Sequence, residues 1–222
     1  MGAAVVMPIG ASHCYPTDMA LAPEKEARFW AGVQRATEFF MGTANVQRAL
    51  IELARRLDEM NVPYAIAGAM ALNELGYERV TSDVDVLLTR EGLAAFKSAW
   101  LGRGYVEKFA GSTGMRDTAN DVAIVVLIAG DYPGDGKPKP VSFPDPSIAV
   151  RGARVALLPT EKLVELELAS GMSAPHRLKD LADVLELVRH AGLDRDMAQR
   201  LDPSVRDKYI ELWSAAQHVE QE

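Results

Sequence analysis

The octet Thr81-Ser82-Asp83-Val84-Asp85-Val86-Leu87-Leu88 constrains this chain more than any other stretch. It is an apolar run interrupted by two carboxylates two residues apart. On a β-strand, residues i and i+2 share a face. Asp83 and Asp85 therefore project side by side, while Val84, Val86 and Leu88 face the other way. Like charges that close repel unless a cation lies between them. A divalent ion that prefers oxygen ligands and bridges carboxylates to phosphates, Mg²⁺ above all, accounts for the pair economically. The competing reading is an edge strand with one polar, solvated face.

The chain has 222 residues, which fits one large domain or two small ones. Apolar residues make up 48% and charged residues 25%, the balance of a soluble globular protein with a sizeable core. The formal net charge of −7 argues against a broad nucleic-acid-coating surface. Cys14 is the only cysteine, so no internal disulfide forms and a reducing, cytoplasmic setting is expected. His13 beside it supplies too few ligands for zinc. No apolar run reaches the ~18 residues that span a bilayer, and Met1–Gly10 lacks the basic start of a signal peptide.

Periodicity and punctuation lay out the rest. Pro23-Glu24 opens a helix carrying Phe29, Trp30, Val33 and Phe40. Thr43 caps a second, with Val46, Leu50, Leu53, Ala54, Leu57 and Met60 at threes and fours, ended by Asn61-Val62-Pro63. Tyr64–Ala67 reads as a strand running through Gly68-Ala69 into a short helix. Such a junction offers free N–H groups to a phosphate; the plainer reading is an ordinary strand-to-helix turn. After the Asp-x-Asp strand, Glu91–Gly102 predicts a helix with Leu93, Phe96 and Trp100 inward. Gly104–Phe109 predicts a strand, Gly111–Asn120 a polar turn, and Val122–Ala129 a strand buried on both faces. Gly130–Pro140 is a loop and not a phosphate-binding P-loop: its spacing is one residue too long, and Pro138 stands where Ser or Thr is needed. A hairpin turns around Arg151-Gly152. Helices follow over Thr160–Ser170, from Ser173-Ala-Pro175 with Leu178, Leu181, Leu185 and Val188 inward, and from Asp202-Pro203 with Val205, Tyr209, Leu212 and Ala216 on one face. The fold class expected is α+β, a mixed β-sheet flanked by helices with a C-terminal helical region. Residues 1–42 form an N-terminal tail and helix, 43–158 the core, and 159–222 the helical region packed on it.

The segment Tyr64-Ala-Ile-Ala-Gly68-Ala69-x-Ala71-Leu72 followed by Arg79-x-Thr81-x-Asp83-x-Asp85 resembles the nucleotidyltransferase superfamily of DNA polymerase β. The nearer likeness is to small prokaryotic AbiEii-like members found in toxin–antitoxin systems. It continues through Ile128–Gly136, Leu163–Gly171 and Arg177–Asp183 and covers roughly residues 45 to 190. The resemblance implies a nucleotidyltransferase-type sheet and transfer of a nucleoside monophosphate from a nucleoside triphosphate (NTP) to a hydroxyl. It implies that Asp83 and Asp85 are the catalytic carboxylates and hold Mg²⁺ or Mn²⁺, and that Gly68 and Ala69 cradle the triphosphate. Thr81 or Ser82 would orient a carboxylate or touch phosphate, or simply satisfy backbone groups. Arg177 and Lys179 would bring positive charge to the nucleotide, or pair with Asp180, Asp183 or Glu186 on their own helix. The acceptor is a small molecule, a protein side chain or an RNA end, and a protein partner is a further expectation.

Two positions depart from the family's pattern. Its third carboxylate, on a neighbouring strand, falls at Val125, which can neither ligate a metal nor accept a proton. Asp121, Asp131 and Asp135 are the nearby acids, and strand geometry of ~3.3 Å per residue puts the first two about 13 and 20 Å away. Glu167 stands where relatives often carry lysine; it either reverses a charge near the phosphates or faces solvent. The sequence thus supports two functions: an active metal-dependent nucleotidyltransferase, or a weakened one serving as a nucleotide-binding or toxin–antitoxin-type interaction module.

Overall fold

The computed structural model describes residues 45–74, 77 and 80–218. The helix expected around Phe29–Phe40 and the residue Arg79 lie outside them. Within them the chain forms a seven-stranded mixed sheet with helices on both faces. The first helix, α1, covers residues 45–59. It is followed by β1 (Ala65–Ile66), α2 (Gly68–Glu74), β2 (Asp83–Leu88), α3 (Arg90–Trp100), β3 (Tyr105–Glu107), β4 (Met115–Asp117) and β5 (Val122–Ile128). A short hairpin, β6 (Val150–Arg151) and β7 (Ala156–Leu157), leads to three helices: α4 (Thr160–Gly171), α5 (Leu178–His190) and α6 (Pro203–His218).

The strand order is β3-β4-β5-β2-β1-β7-β6. The central pair, β2 and β5, is parallel, β1 is antiparallel to β2, and β1 is parallel to β7. The period-2 rule then divides the core. Val84, Val86 and Leu88 of β2 join Ile124, Val126 and Ile128 of β5 in one cluster with α1 and with Leu93 and Phe96 of α3. Thr89 caps α3 by accepting a hydrogen bond from the Gly92 N–H. On the opposite face, Leu87 meets Leu163, Val164 and Leu168 of α4, Val184, Leu187 and Val188 of α5, and Tyr209 of α6. Each of these fully buried aliphatic side chains contributes about 1.5–3 kcal/mol. The face carrying Asp83 and Asp85 is therefore covered at one end by the C-terminal helices.

Three expectations are corrected. Gly111–Asn120 is not all turn: Met115–Asp117 forms β4, pairing β3 on one side and β5 on the other. Its polar residues hid a strand whose buried side chains are Met115 and Asp117, and Asp117 satisfies the following turn by accepting from the Ala119 N–H at 2.9 Å. Second, β5 alternates rather than being buried on both faces, and Val125 is 37% exposed. The continuous apolar run over-reads burial because, among the described residues, no helix covers that end of the sheet. Third, α5 faces inward through Asp183, Val184, Leu187 and Val188, while Leu178 is 67% exposed. A single turn of 3₁₀-helix at Pro175–Arg177 precedes α5; of the expected stripe, Leu181 and Val188 do pack on the core.

Candidate active site

Parity and burial put Asp83 and Asp85 on one face, both half-buried, with Val84 and Val86 fully buried behind them. Thr81 donates from Oγ1 to Asp83 Oδ1 at 2.6 Å, fixing that carboxylate and leaving its second oxygen free of it. Ser82 is exposed and holds neither carboxylate.

The chain leaves β1 through Ala67, whose N–H donates to the Asp85 carbonyl at 3.0 Å. Gly68 then turns into α2 at φ +56°, a conformation L side chains rarely adopt. A Cβ built on Gly68 would lie 2.0 Å from Asp85 Oδ2. Glycine is thus required twice, by backbone sign and by the close approach of the carboxylate. Ala69 is buried beneath this turn.

Asp85 and Gly68 form one wall of a cavity of about 350 Å³. Glu167 and Ser170 of α4, with Arg177 and Asp180 at the start of α5, form the facing wall. Carboxylate oxygens of Glu167, Asp180 and Asp183 all lie within 4.8 Å of one another. Glu167 does not face solvent; it turns into the cavity. Arg177 pairs with Asp180 at 2.9 Å, the within-helix alternative raised by the sequence. Lys179, Thr81, Ser82, Ala69 and Asp83 do not line this cavity, and Lys179 is exposed.

On the other side of Asp85 the sheet face is open among the described residues. Asp85 pairs in register with Val125, and Asp83 with Ala123. A cleft of about 450 Å³ lies over Val125, Ala123, Arg116 and Val106, with Phe109 at its rim 65% exposed. The acids that might have replaced a carboxylate at position 125 are engaged elsewhere. Asp121 bonds Arg116 at 2.6 Å, which holds its carboxyl below the usual carboxylate range. Asp131 pairs with Arg90, and Asp135 pairs with Lys139 at 2.7 Å, which lowers its pKa likewise.

The gathering of Glu167, Asp180 and Asp183, of which Glu167 and Asp180 line the same cavity as Asp85, escaped sequence reasoning. Asp180 and Asp183 share a helix face by their spacing of three. Nothing local says that this face meets the strand bearing Asp85, roughly a hundred residues earlier.

No protein-family model matches the chain, and no curated protein matches it in sequence. Among solved structures it is similar to an antigenic nucleotidyltransferase-like protein from Paracoccidioides brasiliensis, with 18% identity, a TM-score of 0.45, and coverage of 66% of this chain and 76% of that one. It is also similar to the antibiotic-resistance factor ANT(2'')-Ia in solution, with 16% identity, a TM-score of 0.47, and coverage of 79% of this chain and 98% of that one. The crystal structure of ANT(2'')-Ia in complex with adenylyl-2''-tobramycin gives 17% identity, a TM-score of 0.43, and coverage of 80% and 99%. At these values the likeness assigns neither a family nor an activity. Among the described residues, no helix is long and apolar enough to cross a membrane.

Proposed function

We propose that this protein is a divalent-metal-dependent nucleotidyltransferase acting at Asp83 and Asp85. The observation that carries the reading is the same-face aspartate pair, with Asp85 packed on Gly68 at the mouth of a polar cavity. The residues fit a hard cation: both donors are carboxylates, and the Thr81 hydrogen bond leaves one Asp83 oxygen available. Mg²⁺ or Mn²⁺ held there supplies charge neutralisation between the carboxylates and the NTP phosphates. Thr81 orients Asp83, Gly68 keeps space for the Asp85 carboxylate, and Arg177 faces the phosphates. The acceptor hydroxyl oxygen forms a bond to the α-phosphorus, the bond to the β-phosphate oxygen breaks, and pyrophosphate leaves. The hydroxyl proton passes to solvent, since Val125 offers it no base.

That side chain favours a second reading, in which the fold binds nucleotide with little turnover and serves as an interaction module. Loss of a general base alone costs about 10²–10⁴ in rate. The test is incubation with Mg²⁺ or Mn²⁺ and each labelled NTP, with and without acceptors that include total tRNA. Labelled product or pyrophosphate that vanishes in Asp83→Ala and Asp85→Ala supports transfer. Nucleotide binding without product supports the second reading. If neither substitution changes binding or activity, the site is wrongly assigned.

A further inference from the structure

We propose that Ser170 and Asp180 are positioning residues that hold Arg177 as a two-pronged phosphate clamp in the Asp85 cavity. The proposal rests on the nucleotide-transfer reading for the identity of the phosphate, and on the following geometry for everything else. Arg177 Nε donates to Ser170 Oγ at 2.7 Å and to Asp180 Oδ2 at 2.9 Å. Ser170 Oγ in turn donates to the same Asp180 oxygen at 2.5 Å. The three groups close a ring around the inner edge of the guanidinium. Its outer edge, Nη1 and Nη2, makes no hydrogen bond among the described residues.

A guanidinium presents its donors in a rigid planar fork, and a phosphate accepts two of them side by side. Fixing Nε fixes the plane, so both Nη groups are aimed before any ligand arrives. A free arginine carries rotamer entropy that binding would otherwise have to overcome. Asp180 also offsets much of the charge on Arg177, so what the clamp offers is direction more than net charge.

The ring is itself held. Ser170 is 5% exposed on α4, and its carbonyl accepts from Ser173 Oγ at 2.6 Å. The next residue, Gly171, lies against α5 so closely that a Cβ would sit 2.6 Å from Leu181 side-chain atoms. The two helices are in close contact at that point, next to the Ser170 hydroxyl that meets the Nε. A network that merely pinned α4 to α5 would have the same bonds, so the test must separate the two roles.

The experiment is calorimetric titration with inorganic tripolyphosphate and with ATP, each with Mg²⁺, using adenosine as the probe that lacks phosphate. Arg177→Ala is expected to weaken tripolyphosphate by about 10- to 100-fold, the worth of charge-assisted hydrogen bonds. Ser170→Ala is expected to weaken it roughly 5- to 10-fold, with adenosine unmoved, by loss of pre-organisation. In an Arg177→Ala background, Ser170→Ala should then change nothing further, the signature of a residue acting through another. Asp180→Asn, which keeps an acceptor oxygen, should lose less than Asp180→Ala, and it remains informative should Ser170→Ala fold poorly. A lower melting temperature with unchanged tripolyphosphate affinity, or additive losses in the double variant, overturns the proposal. If Asp85-dependent transfer persists while Arg177→Ala binds tripolyphosphate normally, the clamp falls and the transfer reading stands. If the clamp variants behave as expected but no nucleotide is transferred, the clamp stands and the transfer reading falls.

Discussion

Asp85 divides one sheet face into two territories built on opposite principles. Toward α4 and α5 the face is roofed, and the cavity is lined by Glu167, Ser170, Arg177 and Asp180. Toward β5, β4 and β3 no described residue roofs it, and Val125, Val106 and Phe109 remain partly or largely exposed among the described residues. The roofed side has enough polar groups to order one another: Ser170, Arg177 and Asp180 satisfy each other in a closed ring. The open side has apolar area and the salt-bridged Arg116, with nothing on Val125 to ligate an ion or take a proton. Under the proposed transfer reading, the difference teaches that the two halves of the reaction are unequally equipped. Charged and polar side chains are concentrated on one side, and Val125 stands on the other where the resemblance leads one to expect a carboxylate.

The largest test of this division is Asp85 itself. Asp85→Ala should lower pyrophosphate release by more than about 100-fold, beyond the 10–100-fold that outer-shell changes cost at metal sites. Retained release would mean that the boundary residue is not the reacting centre. Next is Val125→Asp, which restores a carboxylate directly beside Asp85 in the sheet register. It should raise turnover by about 10²-fold if proton transfer is what the open side lacks. An unchanged single-turnover rate would show that the open side does not limit the chemistry. Gly68→Ala should cost about 1–3 kcal/mol in urea unfolding, from left-handed backbone and collision with Asp85. Made in an Asp85→Ala background it should cost less, since only the backbone part remains; an equal cost in both would remove the carboxylate from the explanation.

The smallest effect belongs to the far face of the sheet and serves as a control. On α1, hydrogen bonds from Arg55 and Arg56 hold the Glu52 carboxyl at about 2, well below its ordinary 4.5. A carboxyl depressed on folding adds stability above its unfolded pKa, and that share is lost as pH falls from about 4.5 toward 2. Glu52 is partly exposed, so solvent screening limits the share to about 1 kcal/mol or less. Glu52→Gln should flatten the acid limb of stability between those pH values and leave tripolyphosphate affinity intact. A change in affinity would show that the two faces communicate.

Much of this arrangement is legible residue by residue. The alternation of β2 fixes Asp83 and Asp85 on one face, because a strand has a period of two whatever surrounds it. Gly68 at the exit of β1 marks a turn, though its clearance for Asp85 is a matter of space that no local pattern records. Val125 could be placed opposite Asp85 by matching strands, and the register pairs them. Burial was harder to read. The run Val122–Ile128 has the composition of a strand covered twice, yet only one side is fully covered, because the C-terminal helices end their cover beside Leu127. Helix α5 departs from its apolar stripe for a related reason: its buried Asp183 is sheltered by tertiary neighbours that hydropathy cannot anticipate.

The sequence by itself determined the strand bearing the aspartate pair, the glycine turn before it and the absence of a carboxylate at position 125. These follow from periodicity and side-chain chemistry, which act over a few residues. Only the tertiary structure decided that Glu167, Ser170, Arg177 and Asp180 face Asp85 across one cavity while the other side stays open. Those contacts join segments far apart in the chain. Their geometry is set by how α4 and α5 pack on Leu87 and Leu127, a long-range choice made by core volume and shape rather than by any local signal.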